Sequence, residues 1–231
     1  MDSVSGVGVL DKSIAILAAL AERGPAALGE LVAATGLARP TAHRLATALE
    51  AHGLVTRDGD GRFCLGARLV AWGSEAAGHS PLPGLAAPVL AALRDETGES
   101  AQLYVREGDH RVCVAVAERP SGLRNTVPLG ARLTLTAGSG AKVLLAWADP
   151  ATWPSGVSAA SLAGVRKAGW AASVAEREPG VASVSAPVRA GDEVVAAIGV
   201  SGPVERFGRR PGTRFAPAVV AAGRALSASL R

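Results

Sequence analysis

Aromatic residues and cysteines are both scarce in this sequence of 231 residues. Phe, Trp and Tyr together make up 3% of it, although hydrophobic residues make up 48%, so any core has to be aliphatic and rich in alanine. The two cysteines, Cys64 and Cys113, lie in no CxxC motif and have no histidine at ligand spacing. This pattern excludes a disulfide framework and predicts two reduced, buried thiols, with no metal and no cofactor.

Long apolar runs are also missing. No stretch approaches the roughly 18 uninterrupted apolar residues of a membrane helix. The first residues lack the basic segment and the apolar core of a signal peptide. We therefore expect a soluble, cytoplasmic protein with no membrane partner.

The charge of the chain is unevenly distributed. The formal net charge is +4, but residues 1–79 carry seven Lys and Arg against eight Asp and Glu, which gives −1. Residues 80–231 carry seventeen against twelve, which gives +5. The basic excess lies outside the segment whose pattern suggests DNA binding, so only the local placement of side chains can support that function.

The N-terminal segment predicts three helices followed by a β-hairpin. Apolar residues recur at helical spacing, and glycine or proline ends each run. The sequence DGDG at residues 58–61 is a hairpin turn signal, since Asp and Gly tolerate positive φ. The expected helices are 9–22, 28–34 and 40–52, and the expected strands are 54–57 and 62–65. This order is that of a winged helix-turn-helix.

The third predicted helix has two chemically different faces. Ala42, Leu45, Ala46 and Leu49 form an apolar stripe at helical spacing. The opposite face carries hydrogen-bonding groups near the N-terminal half, where a recognition helix enters the major groove. The alternative is a solvated helix face, and His43 could contact a base, a phosphate or only solvent. The candidate DNA contacts, with two arginines of the hairpin, are Arg39, Pro40, Thr41, His43, Arg44, Thr47, Arg57 and Arg62.

The remainder of the chain predicts a linker helix and a second, α+β domain. A linker helix is expected over residues 67–77, and a break rich in Gly and Pro follows at 78–84. We expect domains at 1–66, 67–82 (linker) and 83–231. In the second domain, helices are predicted at 85–97, 139–147, 162–169 and 214–230, and strands at 100–105, 111–117, 133–136, 181–189 and 194–201.

Short motifs along nearly the whole chain resemble the IclR family of bacterial transcriptional regulators. The ordered set is more specific than any of its members. It comprises GVLDKS at 8–13, LVAATGL at 31–37, TAHRL at 41–45, GLV at 53–55, GRFCLG at 61–66, TGESA at 97–101, VPLG at 127–130, GAKVLLA at 140–146, SAPV at 185–188 and VSGP at 200–203.

The resemblance implies a homodimer or dimer of dimers that binds a palindromic double-stranded DNA operator. It also implies a GAF-like domain that binds a small-molecule effector, an amino acid or an organic acid, and links the chain to amino-acid biosynthesis and secondary metabolism. Whether the protein represses or activates stays open. The residues carried over as effector contacts are Leu129, Ser139, Gly140, Glu178, Ser183, Ser185 and Ser201.

The chemistry of these effector residues agrees with that role. Ser139 and Gly140 open a predicted helix, where free N–H groups favour an anion. Ser183 and Ser185 lie on one face of a predicted strand. Glu178 could pair with a ligand ammonium or be a surface turn residue. The chain departs from the family where Thr136 replaces a frequent His and where Ala141 stands in place of Gly, so the effector cannot be copied from relatives.

Two other functions compete with a ligand-responsive regulator. A small-molecule hydrolase would need an activated serine, but no G-x-S-x-G motif is present and the four histidines are poorly placed to act as a base. We therefore expect no enzyme. An architectural DNA-binding dimer would have no effector. Our hypothesis is that helix 67–77 joins the dimer partner and sets the spacing of two recognition helices, which the effector changes.

Overall fold

The computed structural model describes residues 6–79, 81–125 and 127–230. The chain divides into two compact units, residues 1–80 and residues 81–231. Among the described residues, no helix is both long enough and apolar enough to cross a membrane.

The first unit contains a three-helix core followed by a hairpin and a fourth helix. Gly36 takes a left-handed conformation, with φ of 67°, and makes the tight turn between the second and third helices. Pro40 lies in the first turn of the third helix, where its missing N–H costs nothing. The elements are α1 (Gly8–Arg23), α2 (Leu28–Thr35), α3 (Arg39–Ala51), β1 (Val55–Arg57), β2 (Phe63–Leu65) and α4 (Ala67–His79).

The apolar stripe of α3 is buried, as its spacing predicts. Ala42 and Ala46 are fully buried and let α2 and α1 approach closely, and Leu45 and Leu49 are buried beside them. The hairpin joins this core through Phe63, whose ring is 2% exposed and whose backbone pairs with that of Ala26. The predicted winged helix-turn-helix order is confirmed.

Gly66 gives the first test of this packing. A Cβ atom there would lie 2.1 Å from the carbonyl oxygen of Gly53, a backbone atom that cannot rotate away. We expect Gly66→Ala to destabilise the first unit by about 1–3 kcal/mol, as overpacking does. The matched control is Gly73→Ala in α4, where nothing lies within 4 Å and alanine favours the helix. Calorimetry of the full chain measures both, and equal melting temperatures for the two variants would contradict the prediction.

The second unit is an antiparallel six-stranded sheet with helices on both faces. The strand order is β5-β4-β3-β8-β7-β6. The elements are α5 (Leu82–Thr97), β3 (Ser100–Glu107), β4 (His110–Ala117), β5 (Arg132–Thr134), α6 (Ser139–Ala146), α7 (Ala159–Ala168), β6 (Ala171–Val174), β7 (Val181–Ala190), β8 (Glu193–Pro203), α8 (Val204–Phe207) and α9 (Pro211–Ala228), with a 3₁₀ turn at Pro150–Thr152.

The two faces of this sheet differ in chemistry because successive side chains of a strand alternate between faces. Val184 and Val188 of β7 pack with Ile198 of β8 in an apolar layer that includes residues of α5 and α9. Ser183 and Ser185 flank Val184 along β7, so their side chains belong to the opposite face, which α6 covers. The sheet therefore presents hydroxyl groups to the N-terminus of α6. The predicted α+β class is confirmed.

Several sequence predictions need correction. The predicted break at 78–84 is mostly helical, because Pro83 is tolerated in the first turn of α5; Ser80 lies outside the described residues. The short strand β6 and the helix α8 were not predicted, since both are too short for a clear periodicity. Cys113 is buried as expected, but Cys64 is only half-buried, because it alternates with the buried Phe63 along β2.

The two thiols should differ in reactivity. Burial raises the pKa of Cys113 from its usual value of 9.0 to about 11. At pH 8 only about one Cys113 thiol in a thousand would be the reactive thiolate. We expect iodoacetamide at pH 8 to modify Cys64 in the native protein and both cysteines after unfolding, as measured by mass spectrometry. Modification of Cys113 at the rate of Cys64 in the folded protein would contradict this.

Candidate functional site

The outer face of α3 offers hydrogen-bonding side chains to solvent. Arg39, Pro40, His43, Arg44 and Thr47 are exposed, and Thr41 is half-buried. Within the described part of the chain, none of the Arg39, His43 and Arg44 side chains makes a hydrogen bond or an ion pair. Their donors are therefore available to an external partner, and the apolar stripe on the other side of α3 fixes the direction of this face.

The two hairpin arginines have partners within the hairpin and α3. The Arg57 Nε atom lies 3.1 Å from a Glu50 carboxylate oxygen, and its guanidinium lies 4.1 Å from the centre of the Phe63 ring. The Arg62 Nε atom lies 2.9 Å from a carboxylate oxygen of Asp58. The backbone N–H of Arg62 is the main cause that holds the pKa of Asp58 below its ordinary value. A DNA phosphate would have to share these arginines with the acidic groups.

The second unit contains a polar cavity between the N-terminus of α6 and the sheet. Its volume is about 30 Å³, which is room for a group the size of one or two water molecules. The hydroxyl oxygen of Ser139, at the start of α6, lies 2.7 Å from that of Ser183 and 2.8 Å from that of Ser185. The cavity is lined by Gln102, Tyr104, Arg111, Asn125, Ser139, Gly140, Ser173, Arg177, Val181, Ser183, Ser185, Val200 and Ser201.

A second chain of polar groups, from a loop and two strands, lies beside these serines. The Asn125 side-chain amide donates to the Ser201 hydroxyl oxygen at 2.9 Å, and that hydroxyl donates to the Gln102 side-chain oxygen at 3.1 Å. The amide nitrogen of Gln102 is buried and has no hydrogen-bond partner among the described residues. A buried donor without a partner costs free energy, so this donor is suited to a bound acceptor.

Arg111 is the most unusual group of the cavity. It is 3% exposed, and its Nη1 atom donates to the carbonyl oxygens of Thr134 and Ala137. Its Nε atom is buried without a partner, and no carboxylate of the described residues forms an ion pair with it. Burial is the main cause that lowers its pKa, and burial raises the pKa of the neighbouring Tyr104, which stays neutral. A buried cation with unused donors is a natural partner for an anion.

The acidic side chain that contacts the N-cap of α6 is already engaged. The Glu176 carboxylate forms an ion pair with the Lys142 Nζ atom at 2.5 Å. It also accepts a hydrogen bond from the backbone N–H of Gly138, with 3.3 Å between nitrogen and oxygen. It therefore does not neutralise Arg111. The N-terminus of α6, the serine hydroxyls and the guanidinium all favour a negatively charged group in the cavity.

The structure brings together five of the seven predicted effector residues. Ser139, Gly140, Ser183, Ser185 and Ser201 all line the cavity. The other two do not line it. Leu129 is 66% exposed, because it follows Pro128 in a turn that directs it to solvent. Glu178 is exposed in the loop before β7 and pairs with Arg177 at 3.3 Å.

Sequence reasoning missed Arg111, Gln102, Tyr104 and Asn125. A signal was present for three of them: Gln102 and Tyr104 occupy alternate positions of β3, and Arg111 directly precedes an apolar run over residues 112–117 of β4. Asn125 lies in a loop, where no periodicity applies.

Family comparisons agree with both units. Residues 9–59 match the model of the IclR helix-turn-helix domain. Residues 75–156 and 158–228 match the model of the C-terminal domain of bacterial IclR transcriptional regulators. The chain belongs to the IclR family. It is thus a DNA-binding transcriptional regulator with a C-terminal ligand-binding domain, and not an enzyme.

Individual IclR relatives cover most of the chain. The regulator BhcR of Paracoccus denitrificans is 30% identical over 96% of this chain and 87% of its own length. The glycerol operon regulatory protein of Streptomyces griseus is 32% identical over 78% of each chain. An IclR homologue from Microbacterium hydrocarbonoxydans, solved with 4-hydroxybenzoate, is 22% identical with a TM-score of 0.78 over 96% of this chain and 99% of that one. This last likeness concerns the fold.

Proposed function

We propose that this IclR-family regulator binds a double-stranded DNA operator through α3 and changes its operator affinity when the polar cavity binds an organic acid. The observation that carries the proposal is the buried guanidinium of Arg111, which has unused donors and no ion-pair partner among the described residues. A bound carboxylate would supply the missing charge and accept hydrogen bonds from Arg111 and Gln102.

The lining of the cavity favours an organic acid over an amino acid. No Asp or Glu lines it among the described residues, so the ammonium of an amino acid would find no counter-charge and would face Arg111 and Arg177. The Microbacterium homologue supports the same class, since its ligand is an aromatic acid. The cavity itself has room only for the carboxylate of a ligand. The rest of the ligand would displace Arg177 and Val181, which line the cavity and are not buried. Control of amino-acid biosynthesis genes stays a prediction.

The proposed DNA contacts are those of α3 and of the hairpin. Arg39 and Arg44 could donate to guanine, Thr41 and Thr47 could contact thymine methyls or phosphates, and His43 stays a candidate for either. We propose that residues 1–66 bind DNA, 67–82 link the domains and 83–231 bind the effector. We propose that the protein acts in the cytoplasm, on chromosomal DNA.

Apolar side chains on the first unit support a homodimer. Val9, Leu10 and Ile14 of α1 are between 51% and 60% exposed, and Val70 and Trp72 of α4 are 72% and 52% exposed. Such side chains on two helices of one small unit suggest a protein interface. A symmetric dimer would read two half-sites about one helical turn apart. Assembly into a dimer of dimers would need a further surface.

The experiment that tests this function has two stages. Genome-wide mapping of bound DNA identifies the operator, and gel-shift titrations with organic acids, including 4-hydroxybenzoate, and with amino acids identify the effector. We expect at least one organic acid, and no amino acid, to change operator affinity by about tenfold. Specific DNA binding that no acid changes would instead support the architectural alternative, and a reporter gene would distinguish repression from activation.

A further inference from the structure

A second cavity lies in the second unit, and we call it the basic cavity. It shares no lining residue with the polar cavity described above, which we call the serine-rich cavity. It has a volume of about 580 Å³, within the usual range of small-molecule sites. It lies between the C-terminal half of α9, the ends of α6 and α7 and the hairpin that joins β7 to β8. It is lined by Trp147, Arg166, Ala168, Gly169, Ala186, Pro187, Arg189, Gly191, Val220, Arg224, Ser227 and Ala228.

The lining of this basic cavity carries three positive charges. Arg166, Arg189 and Arg224 all line it, and no Asp or Glu does so among the described residues. The closest acidic residue in sequence, Asp192, is exposed on the hairpin turn and contributes its backbone carbonyl to Arg189. The charges of the cavity are therefore uncompensated by its own lining.

Two of the three arginines are held in place without being neutralised. The Nη1 atom of Arg166 donates to the carbonyl oxygen of Ala146 at 2.6 Å. The guanidinium of Arg189 lies 4.6 Å from the centre of the Trp147 ring, and its Nη1 atom donates to the Asp192 carbonyl oxygen at 2.9 Å. Carbonyl oxygens and an aromatic ring orient a guanidinium but leave its full charge and other N–H groups available.

We propose that this cavity binds a phosphate-bearing small molecule, as a second anion site besides the proposed effector site. The planar guanidinium matches phosphate oxygens with paired hydrogen bonds. A phosphate dianion suits three arginines better than a single carboxylate does. The organic part of such a molecule would contact the apolar wall formed by Pro187 and Val220.

The test is calorimetric titration of the full chain with pyrophosphate as the probe. Arg166→Gln and Arg224→Gln remove charges from exposed side chains and should leave the fold intact. Arg214→Gln is the matched control, since Arg214 is exposed on the same helix as Arg224 but does not line the cavity. Arg111→Met reports on the serine-rich cavity. We expect Arg166→Gln and Arg224→Gln each to weaken pyrophosphate binding by about tenfold, and the other two variants to bind like the wild type.

Three results would overturn this second site. Loss of pyrophosphate binding in Arg111→Met alone would place the anion in the serine-rich cavity. Equal weakening by Arg214→Gln would show attraction to the general positive charge. Absence of binding at millimolar pyrophosphate would exclude a site. None of these results concerns operator binding or its response to organic acids, so the proposed function is tested separately.

Discussion

Replacing Arg44 with Ala is expected to lower the affinity for the operator by about 100-fold while leaving binding to unrelated DNA nearly unchanged. The Arg44 side chain is exposed on α3 and has no partner among the described residues, so its truncation costs the free protein little. A bidentate contact between arginine and guanine is worth about 1–3 kcal/mol of discrimination, and a symmetric dimer would lose it twice. Fluorescence anisotropy with operator and scrambled duplexes measures both affinities.

The control for this substitution is Arg23→Ala. Arg23 is exposed in the last turn of α1. Its substitution therefore removes the same charge from the same unit without changing α3. We expect Arg23→Ala to bind the operator within about twofold of the wild type, since surface substitutions have small effects. Retained operator selectivity in Arg44→Ala, or an equal loss in Arg23→Ala, would rule out the role that we assign to Arg44.

Arg111→Met is expected to weaken the binding of organic acids strongly without destabilising the protein. Charge-assisted hydrogen bonds contribute about 1.5–3 kcal/mol, so the affinity for the effector carboxylate should fall by about 10- to 100-fold. The buried cation has no ion-pair partner among the described residues, so an apolar side chain of similar length removes a desolvation penalty in exchange for two hydrogen bonds to carbonyl oxygens. Calorimetric titration with the acid identified by gel shift measures the loss of affinity. Thermal unfolding of the variant measures its stability.

Arg177→Met is the matched control for Arg111. Arg177 also lines the cavity, but it is exposed and pairs with Glu178, so its charge is screened by solvent. We expect Arg177→Met to weaken the affinity of the protein for the acid by less than about fivefold. Operator binding without the acid should stay as in the wild type in both variants. Full acid affinity in Arg111→Met would remove the basis for a carboxylate effector.

The sequence predicted the DNA-binding unit well because its signals are local. The apolar spacing of α3, the tight turn at Gly36 and the DGDG turn of the hairpin each depend on neighbouring residues only. The availability of the α3 side chains could not be predicted, because it depends on which acidic groups lie nearby in space. The hairpin shows this, since Glu50 and Asp58 engage Arg57 and Arg62.

The cavity was predicted only in part because it is assembled from distant segments. Ser139 and Ser185 are separated by 46 positions and Asn125 and Ser201 by 76. The pairing of β8 with β3 and β7 brings Gln102, Ser185 and Ser201 together, whereas Ser139 reaches them from α6 and Asn125 from a loop. Motif resemblance nominated the serines, which line the cavity, and also Leu129 and Glu178, which are exposed and do not line it. Arg111 could not be recognised as an unpaired cation until its neighbours were known.

A scan of single base-pair substitutions in the operator, with wild type and Arg44→Ala in parallel, tests most directly whether α3 reads DNA bases. We predict that the wild type discriminates against substitution of one guanine in each half-site and that Arg44→Ala loses discrimination at that base pair alone. An unchanged base preference at every position in Arg44→Ala would contradict the account.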